Sequence, residues 1–199
     1  MKKILLILIS CVLIFSFSAC AENSQGGEDC LVKIGSDSLS YVYNIDNRIT
    51  SEYVSAKKLK EKNFGGDYSG NAVLFSTAGS GYQSSGYRIK SKMPKSKYDE
   101  ITFNGKSRLY IWVCIVYSGE QPVTLTNYNS IAINENTRTF DKDKQSVWIQ
   151  LKINVNKSLS DKLFDENGIP KEAVLFRTHF NMVETGERLE IYIGDIGLM

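Results

Sequence analysis

The chain has 199 residues, 24 of them basic and 22 acidic, with a formal charge of +2 and 42% apolar side chains. That balance excludes a charge-extended disordered chain and gives no electrostatic footprint for nucleic acid. The length suits one domain with a substantial core.

The first predicted element is not part of the fold. Met1, Lys2 and Lys3 precede an uncharged run from Ile4 to Phe17, followed by Ser18, Ala19 and Cys20. This is the charged, apolar and small-residue order of a secretory signal. A spanning helix would need about 20 apolar residues, and polar Ala21-Glu22-Asn23-Ser24-Gln25 arrives too soon for that. Phe17-Ser18-Ala19-Cys20 resembles the lipobox of bacterial lipoproteins, with Phe17 where that family usually has Leu. The resemblance implies cleavage after residue 19, acylation of Cys20 and attachment to a membrane outside the cytoplasm. The alternative is a plain signal peptide cut near Ala19. Residues 20–30 then read as the lipidated cysteine and a flexible spacer, and residues 31–199 as the domain.

Removing residues 1–19 takes away Lys2, Lys3 and no acid, so the exported chain is formally neutral. Of the four cysteines, Cys11 leaves with the signal and Cys20 carries lipid, leaving Cys30 and Cys114. They could pair in an oxidising compartment, or Cys114 could be an ordinary buried thiol inside an apolar strand. No cysteine or histidine spacing suggests a metal site.

Beyond the spacer the dominant periodicity is two. Strands are predicted at Tyr41 to Asn44, Ala72 to Thr77, Tyr87 to Lys92, Arg108 to Tyr117, Thr124 to Ile133 with an interruption, Val147 to Val155, Ala173 to Met182 and Arg188 to Ile193. Turn clusters such as Gly65-Gly66-Asp67, Gly79-Ser80-Gly81 and Asp165-Glu166-Asn167-Gly168 separate them. Helix is expected only at Ser158 to Phe164, with a second candidate at Thr50 to Lys62. About eight strands with one-faced alternation define an all-β fold, a two-sheet antiparallel β-sandwich.

The order of landmarks also resembles the galactose-binding-like jelly rolls that include many carbohydrate-binding modules. The residues carrying the likeness are Gly66 to Ala72 entering a strand, a long strand after Lys97-Tyr98-Asp99-Glu100, Trp148 opening an alternating strand, and the closing Leu189 to Ile196. Relatives often have Asp where this chain has Gly194, and their N-terminal acidic pair for structural calcium is not evident. The resemblance implies one sheet built from 72–77, 173–182, 108–117 and 124–133, and another from 41–44, 188–193, 87–92 and 147–155.

Candidate sites follow from parity. If Leu109, Ile111, Val113 and Ile115 face the core, Tyr110 and Trp112 face outward. With Val174, Phe176, Phe180 and Met182 inward, Arg177, His179 and Asn181 would then stand beside Tyr110 and Trp112. The opposite parity would bury Trp112. The other sheet offers an alternative face at Trp148, Gln150 and Tyr192. Sugars stack an apolar ring face on Trp or Tyr while planar polar groups take the hydroxyls, which suits either face.

For catalysis the chain has one histidine, His179, and no Gly-x-Ser-x-Gly turn. Its paired acids, Asp99-Glu100, Asp141 with Asp143, and Asp165-Glu166, lie in polar loop sequence. Asp141-Lys142-Asp143 lacks the glycine and distal glutamate of an EF-hand loop. The expectation is a non-catalytic, lipid-anchored envelope module that binds glycan, with no cofactor, metal or nucleic-acid partner. The alternatives are a structural or protein-interaction lipoprotein, and an envelope glycoside hydrolase.

Overall fold

The computed structural model describes residues 30–44, 49–78, 81–103, 105, 108–120, 122–127, 137–154, 157–182 and 187–199. Cys20 and the signal segment lie outside these residues. The described strands are β1 (Cys30–Val32), β2 (Val42–Asn44), β3 (Ile49–Val54), β4 (Ala72–Ala78), β5 (Gly81–Lys90), β6 (Arg108–Tyr117), β7 (Val123–Asn127), β8 (Thr137–Phe140), β9 (Ile149–Asn154), β10 (Glu172–Met182) and β11 (Arg188–Leu198). Three α-helices, α1 (Ala56–Glu61), α2 (Lys95–Phe103) and α3 (Lys157–Leu163), and two short 3-10 helices, Ser36–Tyr41 and Lys142–Lys144, interrupt them.

All strand pairings are antiparallel. One sheet runs β3-β4-β11-β6-β9, with β1 also on β11, and the other runs β2-β5-β10-β7-β8. From β4 to β11 the chain passes between sheets at every connection but β7 to β8, so the fold is an all-β sandwich whose core both sheets share. Leu109, Ile111, Val113, Ile115 and Tyr117 of β6 enter that core with Leu189, Ile191 and Ile193 of β11, and Val123 and Phe140 meet them from the other sheet.

Several expectations change. Ile49–Val54 is a strand, and helix is confined to Ala56–Glu61. The β-branched residues of this stretch pair along β4, with Ile49 and Val54 buried on opposite faces, and Ser55 then caps α1 by accepting from the Lys58 amide. The predicted 87–92 strand is the end of the longer β5, and β8 was not anticipated. The helix α2 replaces the polar loop expected around Asp99-Glu100. Pro94 pre-sets its entry, and Tyr98 and Ile101, three residues apart, bury one face.

The implied sheet partition is corrected as well. β4 and β6 pair with β11, not with β10, while β5 pairs with β10 and β2 pairs with β5. Alternation fixes which face a residue occupies, but not which sheet its strand joins. That depends on each crossover, and β4 and β5 enter different sheets although only two residues separate them.

Candidate functional site

Because β6, β9 and β11 share a sheet, the two aromatic faces read from the sequence are one face. Trp112 pairs with Gln150, and Cys114 with Tyr192. The parity expected for β6 holds: Trp112, Cys114 and Val116 lie opposite the inter-sheet core. They meet a second apolar cluster, not solvent. Val54, Leu59, Phe64 and Tyr68, from the chain around α1, fold over the sheet and pack on Trp148 and Tyr192. The ring centroids of Tyr68 and Trp148 are 4.4 Å apart, those of Phe64 and Tyr192 5.0 Å, and those of Tyr68 and Trp112 5.5 Å. Trp148 is 5% exposed and Tyr192 0%. Tyr110 is also buried, its ring lying so close to Gly197 that a β-carbon there would collide with it. Of the site residues expected there, Trp112 and Gln150 are half-buried.

The landmark residues hold this cover in place. Gly66 has a φ of +88°, and a β-carbon there would come within 2.6 Å of the Trp148 carbonyl, so glycine is required on both counts. The Gly65 carbonyl accepts the Trp148 amide at 2.8 Å. The Tyr68 hydroxyl donates to the Asn71 carbonyl at 2.5 Å and accepts the Asp195 amide at 3.0 Å. The Asn71 side chain accepts from the Ala56 amide at 2.8 Å and donates to the Ile34 carbonyl at 3.1 Å. The Asp195 carboxylate accepts the Ile34 amide at 2.8 Å. Gly194 leaves the space that the Tyr68 ring fills.

Electrostatics agree with a structural role for these groups. Burial pushes the Asp195 carboxyl up, against the Ile34 amide, Lys33, Tyr68 and Lys92, which favour its charged form. Burial also raises the Tyr68 hydroxyl and, together with a 2.5 Å hydrogen bond to Glu190, the Tyr192 hydroxyl. Cys30 and Cys114 are both free thiols. They pair with Gly197 and Tyr192 respectively, five positions apart along β11, too far for a disulfide without moving the backbone. Burial raises their pKa values to about 11 and about 12.

Arg177, His179 and Asn181 occupy β10, in the sheet opposite β6, so they do not converge with Tyr110 and Trp112. Their neighbours are read from register. Val123 of β7 is buried in the core, alternation carries that face to Asn127, and Asn127 pairs with Thr178. Residues 177, 179 and 181 therefore take positions on the outer face of the five-stranded sheet. His179 pairs with Thr126 on one side and Ser84 on the other. Asn181 pairs with Tyr82, and Arg177 with Gly86, which also pairs with Tyr43. Positions 43, 82, 84, 126, 177, 179 and 181 thus fall in register on one face across four strands, with Gly86 between positions 177 and 43.

The paired acids are engaged locally. Asp99 and Glu100 pair with Lys95 and Lys97 along α2, and Asp141 pairs with Lys144. The Asp165 carboxylate accepts the Asn167 and Ile169 amides at 2.9 and 2.8 Å, closing its loop. Among the described residues, no group of three or more His, Cys, Asp and Glu is placed to hold a metal ion.

Comparison with protein-family models and with curated proteins finds no match. Among solved structures, one concerned with the promiscuous specificity of carbohydrate-binding modules from the β-sandwich superfamily aligns at 8% identity over 86% of this chain, with a TM-score of 0.49. This chain spans 62% of that structure, less than two thirds of its length. The family 11 carbohydrate-binding module of the cellulosomal cellulase Lic26A-Cel5E of Clostridium thermocellum aligns at 12% identity over 79% of this chain and 85% of its own, with a TM-score of 0.34. TmCBM61 in complex with β-1,4-galactotriose aligns at 14% over 79% and 86%, with a TM-score of 0.39. With all three scores below 0.5, the fold assignment here rests on the strand pairing described above.

Proposed function

We propose that the chain is a lipid-anchored envelope protein that binds glycan, without catalysis, on the outer face of its five-stranded sheet. The carrying observation is the register that aligns Tyr82 with Asn181, Ser84 and Thr126 with His179, and Gly86 with both Arg177 and Tyr43. Tyrosine faces can stack on sugar rings at about 1 kcal/mol each beyond area burial, while Arg, Asn and His address hydroxyls in their plane. The opposite aromatic face is unsuited to this task, since its rings already pack on one another under the α1 segment. Anchoring is supported by the lipobox-like Phe17 to Cys20, whose acyl chains would each contribute about 0.8 kcal/mol per buried methylene.

A glycan array followed by affinity electrophoresis tests the site. Arg177→Ala and His179→Ala are expected to weaken retention at least about tenfold, the loss of one good charged hydrogen bond, with unchanged melting, whereas Trp112→Ala is expected to keep retention. Loss of binding with Trp112→Ala at unchanged stability, and none with the β10 variants, would return the site to the other sheet. Membrane partition of Cys20→Ser tests the anchor separately, with release expected.

A further inference from the structure

The large apolar side chains that the described residues leave exposed are Phe103 at 91%, Ile169 at 58% and Met199 at 37%. Scattered singly, such residues need no explanation. These three lie on elements at one end of the sandwich, Ile169 beside the first turn of α2 and Phe103 at its last residue. Met199 exchanges both backbone hydrogen bonds with Arg108, the first residue of β6, and Phe103 ends α2 just before that strand. Ile169 lies in the loop joining α3 to β10. That loop packs on α2, since the Phe164 and Tyr98 rings are 5.3 Å apart and a β-carbon on Gly168 would touch the Lys95 side chain.

The same end receives the chain from its N-terminal side. Cys30 pairs with Gly197, two residues before Met199, and the Leu31 carbonyl accepts the Lys92 amide just ahead of α2. Nine residues lie between Cys20 and Cys30. A flexible spacer of that length has a root-mean-square span of about 17 Å, close to the radius of gyration of about 15 Å expected for a domain of this size. A bilayer holding Cys20 therefore faces the Cys30 end of the sandwich and not the end at Ser118 and Asp143. Arg108, the first residue of β6, is exposed at this end, where a guanidinium can meet lipid phosphate above apolar side chains, while the exposed Lys92 pairs with Asp37 at 3.4 Å.

We infer that this end is a membrane-docking surface, on which Phe103, Ile169 and Met199 enter the bilayer interface and fix the orientation of the domain. The inference rests on the lipid anchor proposed above. With the sandwich seated on this end, the outer face of the five-stranded sheet stands at the side of the molecule, clear of the bilayer.

The test uses the full lipidated chain in phosphatidylethanolamine–phosphatidylglycerol vesicles, with and without lipids brominated on the acyl chains. Phe103→Trp adds a reporter at the proposed surface, and Asp143→Trp adds one at the opposite end; both positions are exposed, and melting checks the fold of each. The emission added by Phe103→Trp is expected to shift to the blue and be quenched by brominated lipid, while that added by Asp143→Trp is not. Flotation separates the two readings. If the parent floats and Phe103→Trp stays unquenched, or if both positions quench alike, the docking surface is wrong and the anchor stands. If the parent does not float, or if Cys20→Ser floats as the parent does, the anchor is wrong and this orientation falls with it.

Discussion

Replacing Trp148 by Ala separates an aromatic cluster that holds the fold from one that waits for a ligand. The indole is 5% exposed and packed among Tyr68, Phe64 and Tyr192 at centroid distances of 4.4, 6.4 and 6.4 Å. A buried aromatic of this kind removes about 200 Å² from water, worth about 5 kcal/mol at about 25 cal/mol per Å². Ala recovers a small part of that, and partial collapse of the cavity brings the loss to about 4 kcal/mol. In urea, with a slope of about 2 kcal/mol per molar, the unfolding midpoint should fall by about 2 M. Trp112, half-exposed and touching chiefly Tyr68, should lose roughly half as much when truncated. Equal losses for the two, or a midpoint shift below about 0.5 M for Trp148→Ala, would mean that the cover formed by residues 55–68 does not hold in solution.

Two further outcomes follow from buried titratable groups. The Asp195 carboxyl keeps its proton to higher pH when folded than its ordinary 3.8, so its contribution to stability falls as pH rises above about 4 through the folded value. Asp195→Asn retains an oxygen to accept the Ile34 amide, and should therefore lose less stability than wild type between pH 4 and pH 7. Identical pH profiles in urea titrations would refute the assignment. The Cys114 thiol, raised to about 12, should resist an aromatic disulfide reagent at pH 8 until the protein unfolds, and Cys30, at about 11, should react only slowly. Rapid labelling of Cys114 in the native protein would show that the second apolar cluster opens.

The β6 and β9 alternation was legible because each strand carries its own core face: Leu109, Ile111, Val113 and Ile115 on one, Ile149 and Leu151 on the other. The helix at 157–163 was legible within a residue. What covers the outer face of β6 was not, because Phe64 and Tyr68 arrive from a distant segment whose only local marks are Gly65-Gly66 and a short capped helix. Trp112 was correctly read as opposite the core, and its concealment is a long-range fact. Pro94, with Tyr98 and Ile101 three residues apart, could have revealed α2. For the candidate site, the sequence put Arg177, His179 and Asn181 at alternating positions of one strand, but did not tell which strands lie beside it. Tyr43, Tyr82 and Ser84 become neighbours only through the crossovers that assign β2 and β5 to the sheet of β10.

The pairing of β1 with β11 also has a mechanical side. If lipid holds one end and a glycan is gripped on the five-stranded sheet, any pull between them enters the domain at Cys30. It must pass through a three-residue strand joined to β11 at two register positions, Cys30 with Gly197 and Val32 with Ile196. Directly inward lies the Ile34 amide bonded to Asp195, with Asn71 bonded to the Ile34 carbonyl. Under load β1 would peel first, and this buried pair of hydrogen bonds is where the peeling would stop, leaving the β6·β11 and β4·β11 ladders intact. The spacer could then lengthen by the few residues of β1 before the sandwich itself bears tension, a built-in slack between an anchored cell and whatever it holds.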